Sequence, residues 1–363
     1  MSPFSQEGHP GSDCPFLVSM ARIIIADDTS PYTGMTGRDV ALGGTESSVI
    51  NLANAFARRG HQVTVLTRTA EQLTHEGVEW APLASSGDYH GVDLYLPVQH
   101  PRLFHLVRKP RRLAVWLIWP VNNLRHYKRT PTMWRYRPQP VVASKWLENE
   151  YSWVLPPWKK PIVIPLAIQE DWRHRPPLQT PPPPQAIYAS MAARGLPWLL
   201  PVWEKHILPR VPGAKLQILG IKNFAKPYET AVPDLPWIKE MGEAGRASLV
   251  IHPTLRRDEQ REVMRAARVF LYHGHKSEAF CLAAAEAQAL GVPAVVGPHG
   301  VLPERVRDGE TGFMRVEPEA FADAAVRILT DDALWRRLST ASSASQQGLS
   351  WDEVAAEFER RVL

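Results

Sequence analysis

Short apolar runs of four to seven residues alternate with helix-patterned stretches along this chain, and the whole series is written twice. The first series reads RIIIA (22–26), VTVLT (63–67), VDLYLPV (92–98), LAVWLIW (113–119), VVAS (141–144) and IVIP (162–165). The second reads AIYAS (186–190), LQILG (216–220), SLVIH (248–252), VFLYH (269–273), PAVVG (293–297) and GFMRV (312–316). Strands alternating with helices predict mainly parallel sheets covered by helices, an α/β fold. Between the series lies PPLQTPPPPQ, residues 176–185. Proline at that density sustains neither a helix nor a central strand, so the segment reads as a semi-rigid, extended linker.

The 363 residues, at about 150 per domain, predict two domains that each bury a core. The expected division is residues 20–175, the linker 176–185, residues 186–345, and a closing helical pattern over 346–363. Residues 1–19 lack a basic n-region and are broken by Pro and Gly; they read as a disordered extension rather than a signal peptide, with Met20 directly before the first strand. Only Cys14 and Cys281 are present, too few for a disulfide framework, which points to a reducing cytoplasm. The longest apolar run, Leu113 to Pro120, is far shorter than the roughly 20 residues of a membrane span.

Net charge is +5, and the basic residues bunch between Arg102 and Lys160 among Trp116, Trp119, Trp134, Tyr136, Trp153 and Trp158. That mixture suits an acidic partner: a phosphorylated or otherwise acidic acceptor, or the inner face of a membrane with the protein held peripherally. No nucleic-acid-binding motif is present, so nucleic acid is not an expected partner. The bland reading is a solvated face whose aromatics pack inward.

The most informative motif is SEAFCLAAAEAQALGVPAVVGPHGVLPERVRDGETGFM, Ser277 to Met314. Glu278 and Glu286 stand eight positions apart around a helix expected to begin at the first carboxylate and end at Gly291. A helix N-terminus offers unpaired N–H groups and partial positive charge to a phosphate. Carboxylates on either side are suited instead to accept hydrogen bonds from sugar hydroxyls. Cys281, in the first turn, reads as a buried small residue before it reads as a reactive thiol. A second motif, GGTESSVINLANAFARRGH (Gly43 to His61), predicts an amphipathic helix with Thr45 as its cap and Gly60 at C′. Its double glycine lets backbone approach a ligand closely.

The Ser277–Met314 segment resembles the donor-binding core of the retaining GT-B glycosyltransferases of family GT4. Phe280, Ala287, Gly291, Pro293, Gly300, Glu304, Gly309 and Gly312 fall where that family has them. The resemblance implies two Rossmann-like domains facing each other across a cleft, the first taking an acceptor and the second a nucleotide-diphosphate sugar. It further implies that Gly43 and Gly44 face the donor phosphates. Glu278 would bind hydroxyls of the transferred sugar, and the amides of Ala279, Phe280, Cys281 and Leu282 would hold the sugar and β-phosphate. Glu286 would take the ribose hydroxyls, and Arg194, just before Gly195, would stabilise the leaving diphosphate. Relatives often carry a second cation after that arginine; here only Lys222 or Lys276 could fold in. No Asp-x-Asp is placed to hold a divalent ion, so neither a metal nor another cofactor is expected.

Two departures qualify the resemblance. A WLHNP-like stretch usually supplies a polar residue near the sugar, whereas this chain reads WLIWP with Ile118 and Trp119 in that place. His100 is the candidate substitute, with acceptor recognition of another kind or lost activity as alternatives. In IPLAIQEDW, Ala167 stands where relatives usually have Gly. A noncatalytic nucleotide-sugar-binding protein or partner subunit therefore stays open. An NAD-type oxidoreductase ranks lower because no G-x-G-x-x-G follows any strand.

Overall fold

The computed structural model describes residues 20–36, 42–120, 130–152, 159–176, 178–220 and 235–363. The extension 1–19, Cys14, Lys222, Trp153 and Trp158 lie outside the described residues. The first sheet is built from β1 (Arg22–Ala26), β2 (Gln62–Thr67), β3 (Leu73–His75), β4 (Val78–Pro82), β5 (Leu94–Pro97), β6 (Arg112–Leu117), β7 (Gln139–Val142) and β8 (Ile162–Val163). Their order is β3-β4-β2-β1-β5-β6-β7-β8, parallel except for the β3–β4 hairpin. The second sheet comprises β9 (Gln185–Ala189), β10 (Lys215–Leu219), β11 (Leu249–Ile251), β12 (Val269–Tyr272), β13 (Ala294–Val296) and β14 (Gly312–Met314). It is parallel throughout in the order β11-β10-β9-β12-β13-β14, the doubly wound arrangement whose strand order reverses beside the first strand.

Every strand expected from the apolar runs is present, trimmed or shifted by a residue or two. β3 and β4 had no counterpart in that reading. Their connection turns through Glu76 and Gly77, both at positive φ, and a glutamate is not the Asn or Asp that advertises such a hairpin.

The lobes exchange chain at two crossings. Ala167 packs in the first core and Ile168 in the second, so the outgoing crossing falls there, ahead of the proline-rich segment. That segment is tied to the second lobe: Arg265 donates to the Pro176 carbonyl at 3.0 Å and Leu178 packs on the second core. The return crossing lies between Leu338, in the second core, and Trp351, in the first. Beyond it the Trp351–Arg361 helix, capped by reciprocal Ser350 and Glu353 bonds, lies along the Gly44–Arg58 helix. Phe358 meets Phe56 and Trp116 edge-on at 6.0 and 5.9 Å. Glu359 accepts from Arg59 at 2.5 and 2.7 Å and lies 2.9 Å from His61. Among the described residues, no helix is long and apolar enough to cross a membrane.

Candidate functional site

Two helix starts meet where the lobes face each other. Gly43 caps the Gly44–Arg58 helix with extended backbone and no side-chain bond, so Thr45 is not the cap expected of it. The Thr45 hydroxyl instead accepts from the Trp119 indole at 2.7 Å. A side-chain carbon on Gly44 would lie 3.4 Å from the Leu282 side chain of the opposite lobe, an ordinary contact that sets this helix start against the second lobe. Leu282 begins the Leu282–Ala289 helix.

That helix starts four residues later than the motif suggested. Cys281 occupies its N-cap in left-handed backbone, φ 56° and ψ 61°, and interrupts the helix before it reaches Glu278. Glu278 therefore sits in the loop after β12. The Cys281 thiol is buried; burial, reinforced by the charge of Glu278, pushes its pKa well above the usual value and makes it inert. Among the described residues the amides of Ala279, Phe280, Cys281, Leu282 and Ala283 have no acceptor. Free amides at a helix start form an anion-binding surface. Ala279 and Phe280 project across and pack in the core of the first lobe, and the Ala279 carbonyl accepts from the Ser144 hydroxyl at 2.8 Å.

The Glu278 carboxylate is buried and held from one side. Its Oε2 accepts from the Tyr272 hydroxyl at 2.5 Å and lies 3.8 Å from the Arg194 guanidinium. Burial and the adjacent carboxylate drive the Tyr272 pKa far up, so this phenol is a permanent donor. Behind it, Gly300 at φ +57° lies so close that a side-chain carbon there would stand 2.3 Å from the Glu278 carbonyl oxygen. Val301 donates to that same oxygen at 2.9 Å. Lys276, the alternative cation, is exposed.

Glu286 projects into a different environment. Both oxygens face Arg257, at 2.5 and 3.5 Å, and the guanidinium also stacks 4.3 Å from the Trp172 ring and reaches Gln169 at 3.4 Å. A buried carboxylate expected to await ribose hydroxyls already has an internal partner. Arg257 was invisible in the sequence, because it lies 29 positions away on another helix.

In the first lobe, His100 follows β5 and stands edge-on to Trp119 with ring centroids 5.5 Å apart. Its Nδ1 hydrogen-bonds an Asp28 oxygen, and Arg102 donates through Nε to the other. Burial alone would raise Asp28, but the bonds and charges of His100 and Arg102 outweigh it and hold the carboxyl below its usual pKa. An ionised carboxylate only accepts, so Nδ1 carries the hydrogen and Nε2 is left to accept or take a proton. Ile118 and Trp119, where a polar residue was expected, are held by their backbone. Gln99, itself at φ 58°, accepts from both amides at 3.2 and 3.0 Å and donates to Tyr151 at 2.9 Å. The aromatic and basic residues of this lobe divide: Trp116 is buried, whereas Trp134 is 47% exposed. No group of three His, Cys, Asp or Glu able to hold a metal ion converges among the described residues.

Residues 185–331 match the family model described as Glycosyl transferases group 1, and residues 42–131 that described as Glycosyltransferase Family 4. A D-inositol 3-phosphate glycosyltransferase of Streptomyces griseus subsp. griseus is 39% identical over 194 residues, 48% of this chain and 41% of that protein. One of Streptomyces coelicolor is 30% identical over 228 residues, 55% of this chain and 49% of its own length. The chain thus spans less than half the length of these curated relatives. In three dimensions it is similar to a sucrose-phosphate synthase from Thermosynechococcus elongatus, with a TM-score of 0.72, 16% identity and coverage of 93% and 98% of the two chains. It is also similar to Anabaena HepE in complex with UDP and glucose, with a TM-score of 0.70, 14% identity and coverage of 94% and 98%. At those identities the likeness is one of fold, GT-B.

Proposed function

From a chain that belongs to the group 1, family 4 glycosyltransferases, we propose a retaining, metal-independent enzyme that moves a sugar from a nucleotide-diphosphate sugar to an acceptor hydroxyl. The single observation that carries this reading is the run of unpaired amides from Ala279 to Ala283, facing the glycine-rich helix start of the other lobe. Residues 168–345 would form the donor lobe and 20–167 the acceptor lobe, with the acceptor lobe's basic face meeting an acidic acceptor or a membrane surface.

The donor phosphates would lie against those amides and the backbone of Gly43 and Gly44, with Arg194 beside the leaving diphosphate. Charge grows on that diphosphate as the glycosidic bond breaks, so donors already aimed at it lower the barrier rather than only tighten binding. The Tyr272 and Arg194 contacts to Oε2 fix Glu278 and leave Oε1 to accept from sugar hydroxyls, which orients the sugar for attack. Glu286 would take the ribose hydroxyls by sharing its carboxylate between them and Arg257. His100 would present Nε2 to a hydroxyl of the sugar or acceptor, with Asp28 as its positioning residue.

Neighbours solved with UDP and UDP-glucose make a uridine donor the first to try, and relatives named for D-inositol 3-phosphate make a phosphorylated acceptor the first to offer. The assay is nucleotide release with and without acceptor, in chelator. Glu278→Ala should reduce turnover far more than donor affinity, and Glu286→Ala should weaken nucleotide binding. Asp28→Asn should lower kcat about 10- to 100-fold with little change in donor KM, the usual effect of removing an orienting partner. Full activity in Glu278→Ala removes that residue from the site. Nucleotide binding without release under any acceptor supports the noncatalytic alternative, which Trp119 in the polar position favours.

A further inference from the structure

A cavity of about 510 Å³ opens where the chain crosses between lobes, and none of the residues assigned above to the donor or acceptor lines it. Its walls are Pro165, Leu166 and Ala167 of the outgoing crossing, Gly348 and Leu349 of the return crossing, and Arg305 of the second lobe. Arg305 is the group that needs explaining. Its guanidinium stacks on the Phe280 ring at 3.8 Å and its Nε is buried without a partner. The neighbouring charges are already committed. Glu304 accepts from the amides of Trp146 and Lys145 at 2.6 and 3.2 Å, and Arg307 pairs with Glu310 at 3.0 Å.

Leaving a guanidinium nitrogen buried without a partner costs free energy, and burial, only partly offset by the charge of Glu304, lowers the Arg305 pKa to about 10. A guanidinium with an unpartnered Nε, in a cavity lined by the apolar Pro165, Leu166 and Leu349 and by the polar Glu304, Arg307 and Gln346, is matched by an anion with an apolar body. We propose that this hinge cavity is a second ligand site, in which Arg305 binds the phosphate or carboxylate of a small metabolite whose remaining atoms lie against Pro165, Leu166 and Leu349.

Such a ligand touches both crossings and so favours one arrangement of the lobes. It also reaches the donor loop. Phe280 under the guanidinium lies in the run of free amides, and the Arg305 carbonyl accepts from Gln288, which bonds Gln346 beside the cavity. Occupancy of the cavity would therefore alter donor affinity by linkage.

Isothermal titration of the full chain with inorganic phosphate, phenyl phosphate and benzoate, at constant ionic strength, tests this. Beside any binding at the Ala279–Ala283 amides, a saturable site that survives Arg194→Gln is expected, tighter for phenyl phosphate than for inorganic phosphate; comparison of phenyl phosphate with benzoate identifies the preferred head group. Arg305→Gln should weaken binding about tenfold or more, as loss of a charge-assisted pair does. Gly348→Glu should do the same: a side-chain carbon there meets open space, so the variant folds and delivers an internal carboxylate to compete. Arg194→Gln should leave the phenyl phosphate site lost in Arg305→Gln unchanged. The proposal is overturned if no probe saturates, if both cavity variants bind normally, or if Arg194→Gln alone abolishes binding, which would place the anion at the donor loop. None of these outcomes depends on glycosyl transfer.

Discussion

Two titratable residues, the buried Asp27 and the half-buried His273, make opposing contributions to acid stability. Asp27, at the end of β1, accepts from Tyr32 and Thr29, yet burial dominates and raises its carboxyl from 3.8 to about 6. The folded chain therefore holds a proton that the unfolded chain releases, and stability from this group is complete below about pH 4 and lost as pH rises to 6. His273 runs the other way. Stacked on Trp198 at 3.8 Å, it is lowered from 6.5 to about 4 by burial and then by the charge of His299, so its contribution is complete above 6.5 and lost as pH falls. Asp27→Asn removes only the first slope. Its melting temperature should drop between pH 6.5 and 4.5 more steeply than that of the wild type, by calorimetry; parallel curves would show that Asp27 titrates normally.

At the scale of elements, the closing helix works as a strap. Trp351, Val354, Ala355 and Phe358 enter the first core, and the Glu359 pair with Arg59 and His61 aligns it on the Gly44–Arg58 helix. Phe358 is fully buried between Phe56 and Trp116, where deleting an aromatic side chain leaves a cavity. Phe358→Ala should cost about 3–5 kcal/mol, read as a lower urea midpoint. The exposed Arg58–Asp352 pair at 2.7 Å should contribute little by contrast. The hairpin of β3 and β4 and the late start of the Leu282–Ala289 helix were both hidden for a local reason: each depends on a non-glycine residue, Glu76 or Cys281, adopting positive φ. Propensity does not announce that conformation for either type.

Across the whole molecule, side-chain bonds among the described residues tie one lobe to the other. The Ser144 hydroxyl on the Ala279 carbonyl and the Glu304 carboxylate on the amides of Lys145 and Trp146 join the lobes beside the Glu278–Leu282 loop. Glu304→Ala combined with Ser144→Ala should loosen that junction by about 1–3 kcal/mol. Amide exchange around Phe280 and Trp146 should quicken while the cores of both sheets stay protected. Unchanged exchange there would mean that apolar packing of Ala279 and Phe280 alone holds the lobes. The same contacts explain how a loop of the second lobe comes to be buried in the core of the first.

What the sequence determined by itself was whatever repeats locally. The apolar runs marked twelve of the fourteen strands, the twofold series marked two sheets, and the spacing from Glu278 to Gly312 marked the loop-and-helix unit that matches the family. What only the tertiary structure decided was pairing across distance. It joined Glu286 to Arg257, Asp28 to His100 and Glu278 to Tyr272, and it moved the crossing to Ala167 and Ile168, ahead of the prolines. Periodicity records which face of an element is buried; it carries no record of which charge arrives from another element to meet it. Arg305 is such a case, an ordinary helix arginine in the sequence and, in the fold, a cation stacked on Phe280 with its Nε buried and unpartnered.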